Sequence, residues 1–71
     1  MKVLYKEPVR GSKDCELRIG IASWDDGSET EKSIKFAWRD KNGRIARGGE
    51  FPIDALPQAL AFAIKMGEIK L

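Results

Sequence analysis

Between Lys32 and Gly49 six cations, Lys32, Lys35, Arg39, Lys41, Arg44 and Arg47, stand against one acid, Asp40. The block carries +5 in a chain whose net charge is +2. Two tryptophans accompany it, Trp38 inside the block and Trp24 just before it. Ammonium and guanidinium groups neutralise phosphates and release their counterions. Indole rings stack on bases with ~1–3 kcal/mol each and little dependence on sequence. Cations interleaved with aromatics are therefore suited to a polyanion whose bases are free to stack.

Other chemistry finds little support. The chain has no histidine to act as a base. It has no spaced nucleophile–base pair and no glycine-rich phosphate loop of the Walker or Rossmann type. A structural zinc site needs four Cys or His ligands, and Cys15 is the one cysteine. The acidic run Asp25 to Glu31 (DDGSETE) lacks the alternating ligands of a calcium loop. It reads as an exposed, mobile loop. Cys15 reads as a small buried hydrophobe. The expectation is a binding protein, not an enzyme, with no cofactor and no metal.

Size and composition set the frame. At 71 residues the chain is one domain, residues 1–71. A domain this small buries only ~60% of its unfolded surface and often needs a staple or a partner subunit. A lone cysteine excludes an internal disulfide and fits a reducing compartment. No stretch matches a signal peptide or the ~18 apolar residues of a membrane span. The expected location is the cytoplasm, whether the chain is host- or phage-encoded.

The elements that must carry the cations read as strands followed by one helix. Residues 3–9 form a short run ending near Pro8, suited to an edge strand. From Cys15 to Trp24, Cys15, Leu17, Ile19 and Ile21 alternate with Glu16, Arg18, Gly20 and Ala22, the pattern of a strand with one buried face. Trp24 then falls on the Glu16/Arg18 face. Residues 32–41 repeat the alternation with Ile34, Phe36 and Trp38. Asn42-Gly43 signals a two-residue hairpin turn, since both residues tolerate positive φ. Residues 44–51 return, with a bulge or bend expected at Gly48-Gly49. Asp54 is a candidate N-cap, Pro57 suits the first helical turn, and Gly67 suits the C′ position of a helix over about 55–66. The predicted fold is α+β: a four-stranded antiparallel curved sheet followed by one C-terminal helix, β-β-β-β-α.

A two-residue turn sets Lys41 opposite Arg44, Trp38 opposite Arg47 and Phe36 opposite Gly49. One face of the ribbon then carries Ile34, Phe36, Trp38, Ile45, Arg47 and Phe51, and is expected to meet the helix. The other carries Lys35, Arg39, Lys41, Arg44 and Glu50. Like charges held opposite each other destabilise a hairpin. Bound phosphate would relieve them, as would plain solvation of a soluble face. By spacing alone Trp38 belongs to the core, while Trp24 is free to stack.

The stretch from Ser23-Trp24-Asp25-Asp26 through Ala37-Trp38-Arg39-Asp40-Lys41-Asn42-Gly43 to the helix resembles the transcriptional positive-cofactor-four family of single-stranded-DNA-binding coactivators. The likeness is greatest to its small bacterial and phage relatives and covers roughly Cys15 to Met66. It implies a homodimer joined through the C-terminal helix, with single-stranded DNA gripped across the sheet. By position it assigns DNA contacts to Trp24, Lys35, Trp38, Arg44 and Arg47. Glu50 stands where the likeness calls for a cation. Lys35 and Trp38 act together in that family, yet a regular strand aims them at opposite faces.

The reading of the sequence is a sequence-tolerant single-stranded-DNA-binding homodimer serving transcription, replication or repair. Its binding residues are Trp24, Lys32, Lys35, Trp38, Arg39, Lys41, Arg44 and Arg47. RNA could use the same surface, because nothing in the chain reads a 2′-hydroxyl. The alternative is a small protein-interaction or inhibitor domain that adds a partner strand to its sheet edge.

Overall fold

The computed structural model describes residues 1–12, 14–46 and 49–70, with Ala46 described by its backbone alone. Five strands follow in order: β1 (Lys2–Pro8), β2 (Cys15–Ile21), β3 (Lys32–Arg39), β4 (Ile45–Ala46) and β5 (Glu50–Pro52). A 3-10 turn, η1 (Ile53–Ala55), leads into helix α1 (Leu56–Lys65). The sheet is antiparallel in the order β1-β2-β3-β4, and β5 also pairs with β3. β4 and β5 are thus two pieces of one returning strand, and the architecture is the α+β, β-β-β-β-α arrangement that the alternation predicts.

β2 and β3 pair without interruption from Cys15 opposite Trp38 to Ile21 opposite Lys32. Cross-strand partners share a face, so the sheet has two distinct sides. The aliphatic face carries Tyr5, Leu17, Ile19, Ile34, Phe36, Trp38 and Phe51. The charged face carries Lys6, Glu16, Arg18, Lys35 and Glu50, with the small residues Gly20, Ser33 and Ala37 between them. Gly20 is required there: a Cβ on it would lie 2.1 Å from the carbonyl oxygen of Lys2. β1 also carries a register shift between Val3 and Tyr5, beside that close approach.

The hairpin after β3 departs from the expected register. Asp40 exchanges backbone bonds with both ends of the turn, its N–H donating to Arg44 O (2.8 Å) and its carbonyl accepting from Gly43 N (2.9 Å). Lys41, Asn42 and Gly43 form a three-residue loop, and Gly43 takes the left-handed conformation at φ 76°. The Asp40 carboxylate explains the extra residue, since its Oδ1 accepts from the N–H groups of Asn42 (2.8 Å) and Arg44 (3.0 Å). Such side-chain capture of nearby amides competes with the tighter turn. Trp38 therefore faces Ala46, not Arg47, and Arg39 faces Ile45. Ile45 moves to the charged face, and Arg44, opposite Asp40, moves to the aliphatic side.

The slip is recovered downstream. Lys35 pairs with Glu50 and Ile34 with Phe51, the register expected for this part of the ribbon. Between Ala46 and Glu50 the returning chain holds one residue more than β3 opposite it, and the bulge or bend expected at Gly48-Gly49 falls in this stretch. Arg47 and Gly48 lie outside the described residues.

Pro52, extended at φ −57° and ψ 132°, ends β5, and η1 turns the chain into α1. Asp54 makes no side-chain cap bond; it sits inside η1, and Ala55 occupies the N-cap position. The far end follows expectation. Gly67 takes φ 77°, its N–H donates to Ile64 O (3.0 Å), and Glu68 N–H donates to Ala63 O (3.0 Å). These two bonds are the Schellman closure of a helix.

The helix does not cover the aliphatic face as expected. Among the described residues none of α1 is buried, and Phe62 is 64% exposed. Its principal neighbour is η1. Leu17, Phe36, Trp38 and Phe51 on the sheet stay more than a third exposed. The buried hydrophobic residues among those described are two alanines, Ala22 and Ala37. No described helix is long and apolar enough to cross a membrane.

Candidate nucleic-acid interface

The charged face gathers its cations in a row across the sheet. Lys6 on β1 pairs with Arg18 on β2, Arg18 with Lys35 on β3, and Lys35 with Glu50 on β5. Neighbouring strands lie ~4.8 Å apart, so the three cations repeat at that interval. Arg39 shares this face one turn of alternation beyond Ala37. Arg18 is steadied by Glu16, with Nε donating to Oε2 at 2.6 Å and both side chains 19% exposed. That bond from Arg18 holds the Glu16 carboxyl below its usual range, against a smaller opposing effect of burial. Lys6 and Arg39 are exposed and Lys35 half-buried.

Trp24 lies off the strands. β2 stops at Ile21, and Ala22 to Asp25 form a turn closed by Asp25 N–H to Ala22 O (3.0 Å). The expectation that the strand runs to Trp24 is thereby corrected. Glu50 contributes to this. Its Oε1 accepts from Ser23 N–H (2.9 Å) and from Ser33 Oγ–H (2.6 Å), and its Oε2 accepts from Ser23 Oγ–H (2.8 Å). Ser33 and Glu50 are on the charged face, so these bonds draw Ser23 across the start of β3 toward that face. Trp24 follows directly, 47% exposed. Partial burial pushes the Glu50 carboxyl up, and donors from Ser33 and Ser23 more than offset it, leaving it below the usual range.

The acidic loop beyond Trp24 is wound around one carboxylate. Asp25 Oδ1 accepts from the N–H groups of Gly27 (2.8 Å) and Glu29 (3.1 Å), and Oδ2 from those of Thr30 (3.1 Å) and Glu31 (2.9 Å). Ser28 Oγ–H donates to the same group at 3.1 Å. These donors, the Glu31 amide foremost, lower the Asp25 carboxyl to about 2. Glu29 accepts φ 57° to complete the winding. The loop is exposed as expected, but it is an ordered turn of backbone amides about Asp25. Trp24 shares a shallow groove with Asp25, Asp26, Ser28 and Glu31. Negative charge on that flank leaves the sheet side as the approach open to a polyanion.

The predicted binding residues thus divide. Lys35 and Arg39 stand on the charged face, and Trp24 lies in the β2–β3 turn next to Ser23, which bonds Glu50 of that face. Lys32, Trp38 and Arg44 fall on the aliphatic side. Lys41 is exposed at the hairpin tip, and Arg47 lies outside the described residues. β3 has no bulge to bring Lys35 and Trp38 together. Trp38 packs beside Phe36, ring centroids 6.0 Å apart and tilted by 42°, with half-buried Cys15 opposite it on β2. Sequence reasoning missed Lys6 and Arg18. Arg18 was visible as the polar partner in the β2 alternation, whereas Lys6 joins the row only through the register of an edge strand.

No protein-family model, curated protein or solved structure matches this chain.

Proposed function

We propose that this chain is a sequence-tolerant single-stranded-DNA-binding module that works as a homodimer. The observation that carries the reading is the row Lys6, Arg18, Lys35 with Arg39 on one sheet face and an exposed indole, Trp24, tied to that face through Ser23 and Glu50. The cations take the phosphates, and Trp24 stacks on a base. A cationic surface with an aromatic platform binds a strand without selecting its sequence. The resemblance of the Trp24 and Trp38 segments to the positive-cofactor-four family supports the same reading, as does the scarcity of catalytic groups.

The dimer is supported by what the single chain leaves uncovered. Among the described residues two buried alanines make a small hydrophobic core. Tyr5, Leu17, Ile19, Ile21, Ile34, Phe36, Trp38 and Phe51 line the aliphatic face, and the helix offers Leu56, Leu60, Phe62 and Ile64 to solvent. Association through α1 would give both surfaces a partner and make Trp38 a core residue, as its spacing suggests. The lone cysteine favours action in the cytoplasm.

Titrating a labelled oligo(dT) at two salt concentrations tests the function. Binding that weakens steeply with salt is expected. Absence of binding at low salt, or affinity indifferent to salt, removes it. Addition of a partner strand at the outer edge of β1, which pairs only with β2 among the described strands, is then the reading to pursue.

A further inference from the structure

Glu50 is an acid in a row of cations, opposite Lys35. By charge alone it opposes a polyanion on that face. Yet it accepts three hydrogen bonds, two of them from the residue immediately before Trp24. Ser33, which supplies the third, is fully buried. The carboxylate therefore bridges β5, the start of β3 and the β2–β3 turn, segments far apart in the chain. Ser23 itself is exposed, and these bonds are what hold it over the sheet. Without them the turn bearing Trp24 keeps its own closure, the Ala22 N–H to Glu31 O bond (2.9 Å) and the Asp25 winding, which tie it to the residue before β3 but make no bond to the face that carries the cationic row.

We infer that Glu50 is a positioning residue for nucleic-acid binding: it holds Trp24 in register with the cation row of Lys6, Arg18 and Lys35, and acts through Trp24 rather than through its charge. The inference rests on the proposed function and makes a prediction whose sign differs from the electrostatic one. A glutamine at this position can reproduce the clasp, with its carbonyl accepting from Ser23 N–H and Ser33 Oγ–H and its amide donating to Ser23 Oγ. Glu50→Gln therefore removes the charge and keeps the geometry. Glu50→Ala removes both.

The test measures oligo(dT) affinity of the full chain by fluorescence anisotropy, with circular dichroism confirming the fold of each variant. Glu50→Gln is expected to tighten binding about two- to fivefold, the scale of one exposed charge interaction. Glu50→Ala is expected to weaken it about tenfold, the scale of losing one well-placed stacking contact. In a Trp24→Ala background Glu50→Ala should no longer weaken binding, because the two residues act as a unit. Should both Glu50 variants tighten binding, or should Glu50→Ala weaken it equally without Trp24, the inference is overturned. If Glu50→Ala fails to fold, Ser23→Ala removes one bond of the clasp and should cost about threefold; unchanged affinity again overturns it. A readout without DNA separates this inference from the function on which it rests. In protein labelled with 5-fluorotryptophan, the Trp24 fluorine resonance should move in Glu50→Ala and stay in Glu50→Gln. If it is unchanged in both, Glu50 does not position Trp24, whether or not the protein binds DNA.

Discussion

Lys35 and Trp38 occupy opposite faces of β3. Lys35 pairs with Arg18 and Glu50, Trp38 with Cys15 and Ala46, and the strand between them is regular. One strand therefore presents a charged face and an aliphatic face.

Substitutions on the two faces should separate by salt dependence. Lys35→Ala and Arg39→Ala are each expected to weaken oligo(dT) binding and to reduce the slope of log affinity against log salt by about 0.7, the increment for one phosphate contact on a single strand. Trp38→Ala should leave that slope alone and cost stability in proportion to its burial in the proposed dimer, up to about 3 kcal/mol if a partner's helix covers it fully. Identical slopes for all three variants and the wild type would sink the assignment of faces.

The exposed helix should be an association surface. Thermal midpoints of the wild type are expected to rise with protein concentration, because association stabilises the folded state by mass action. Leu60→Lys combined with Phe62→Lys should abolish that dependence and halve the mass seen by sedimentation. A wild type that sediments as a monomer at every concentration contradicts the homodimer.

Gly20 should not tolerate a side chain. Gly20→Ala drives a Cβ to within 2.1 Å of the Lys2 carbonyl oxygen, and backbone cannot yield as a flexible side chain does. A loss of about 1–3 kcal/mol is expected in denaturant melts, the range for overpacking. Gly49→Ala, where a Cβ meets open space, is the matched control and should change little.

Acid should release the β2–β3 loop. The Asp25 carboxyl falls from 3.8 to about 2 in the folded chain. A depressed folded pKa adds stability above the unfolded value, which is lost as pH falls through the folded one. The window therefore runs from about pH 4 down to about pH 2, and Glu50, also lowered, acts in the same sense. Protection of the Gly27, Glu29, Thr30 and Glu31 amides, taken relative to their intrinsic exchange at each pH, should fall across that window. Asp25→Asn should show the lower protection already at neutral pH. Protection that persists in Asp25→Asn would show that the carboxylate does not hold the loop.

Much of this fold was legible in the chain. Leu17, Ile19, Ile34 and Phe36 announce two strands by strict alternation, and Gly67 announces the helix end. The hairpin register was not legible. Asn42-Gly43 favours a two-residue turn, but the Asp40 carboxylate captures the amides of Asn42 and Arg44 and lengthens it, which carries Arg44 and Ile45 to the other faces. Trp24 was misplaced for a related reason. The apolar row ends at Ile21, and the Asp25 N–H to Ala22 O closure, the Asp25 winding and the contact of Ser23 with Glu50, 27 residues further along, take the chain off the strand. Lys6 joined the cation row through an edge-strand register that local patterning does not encode. Side-chain to backbone capture and long-range pairing decided these positions, and neither leaves a periodic trace.

The most direct test is a nitrogen–proton shift titration of the labelled protein with a short oligo(dT). The account predicts that perturbations concentrate on Lys6, Arg18, Lys35 and Arg39 and on the indole N–H of Trp24, and that they shrink as salt is raised. Perturbations confined to Tyr5, Phe36 and Trp38, or none at all, would contradict it.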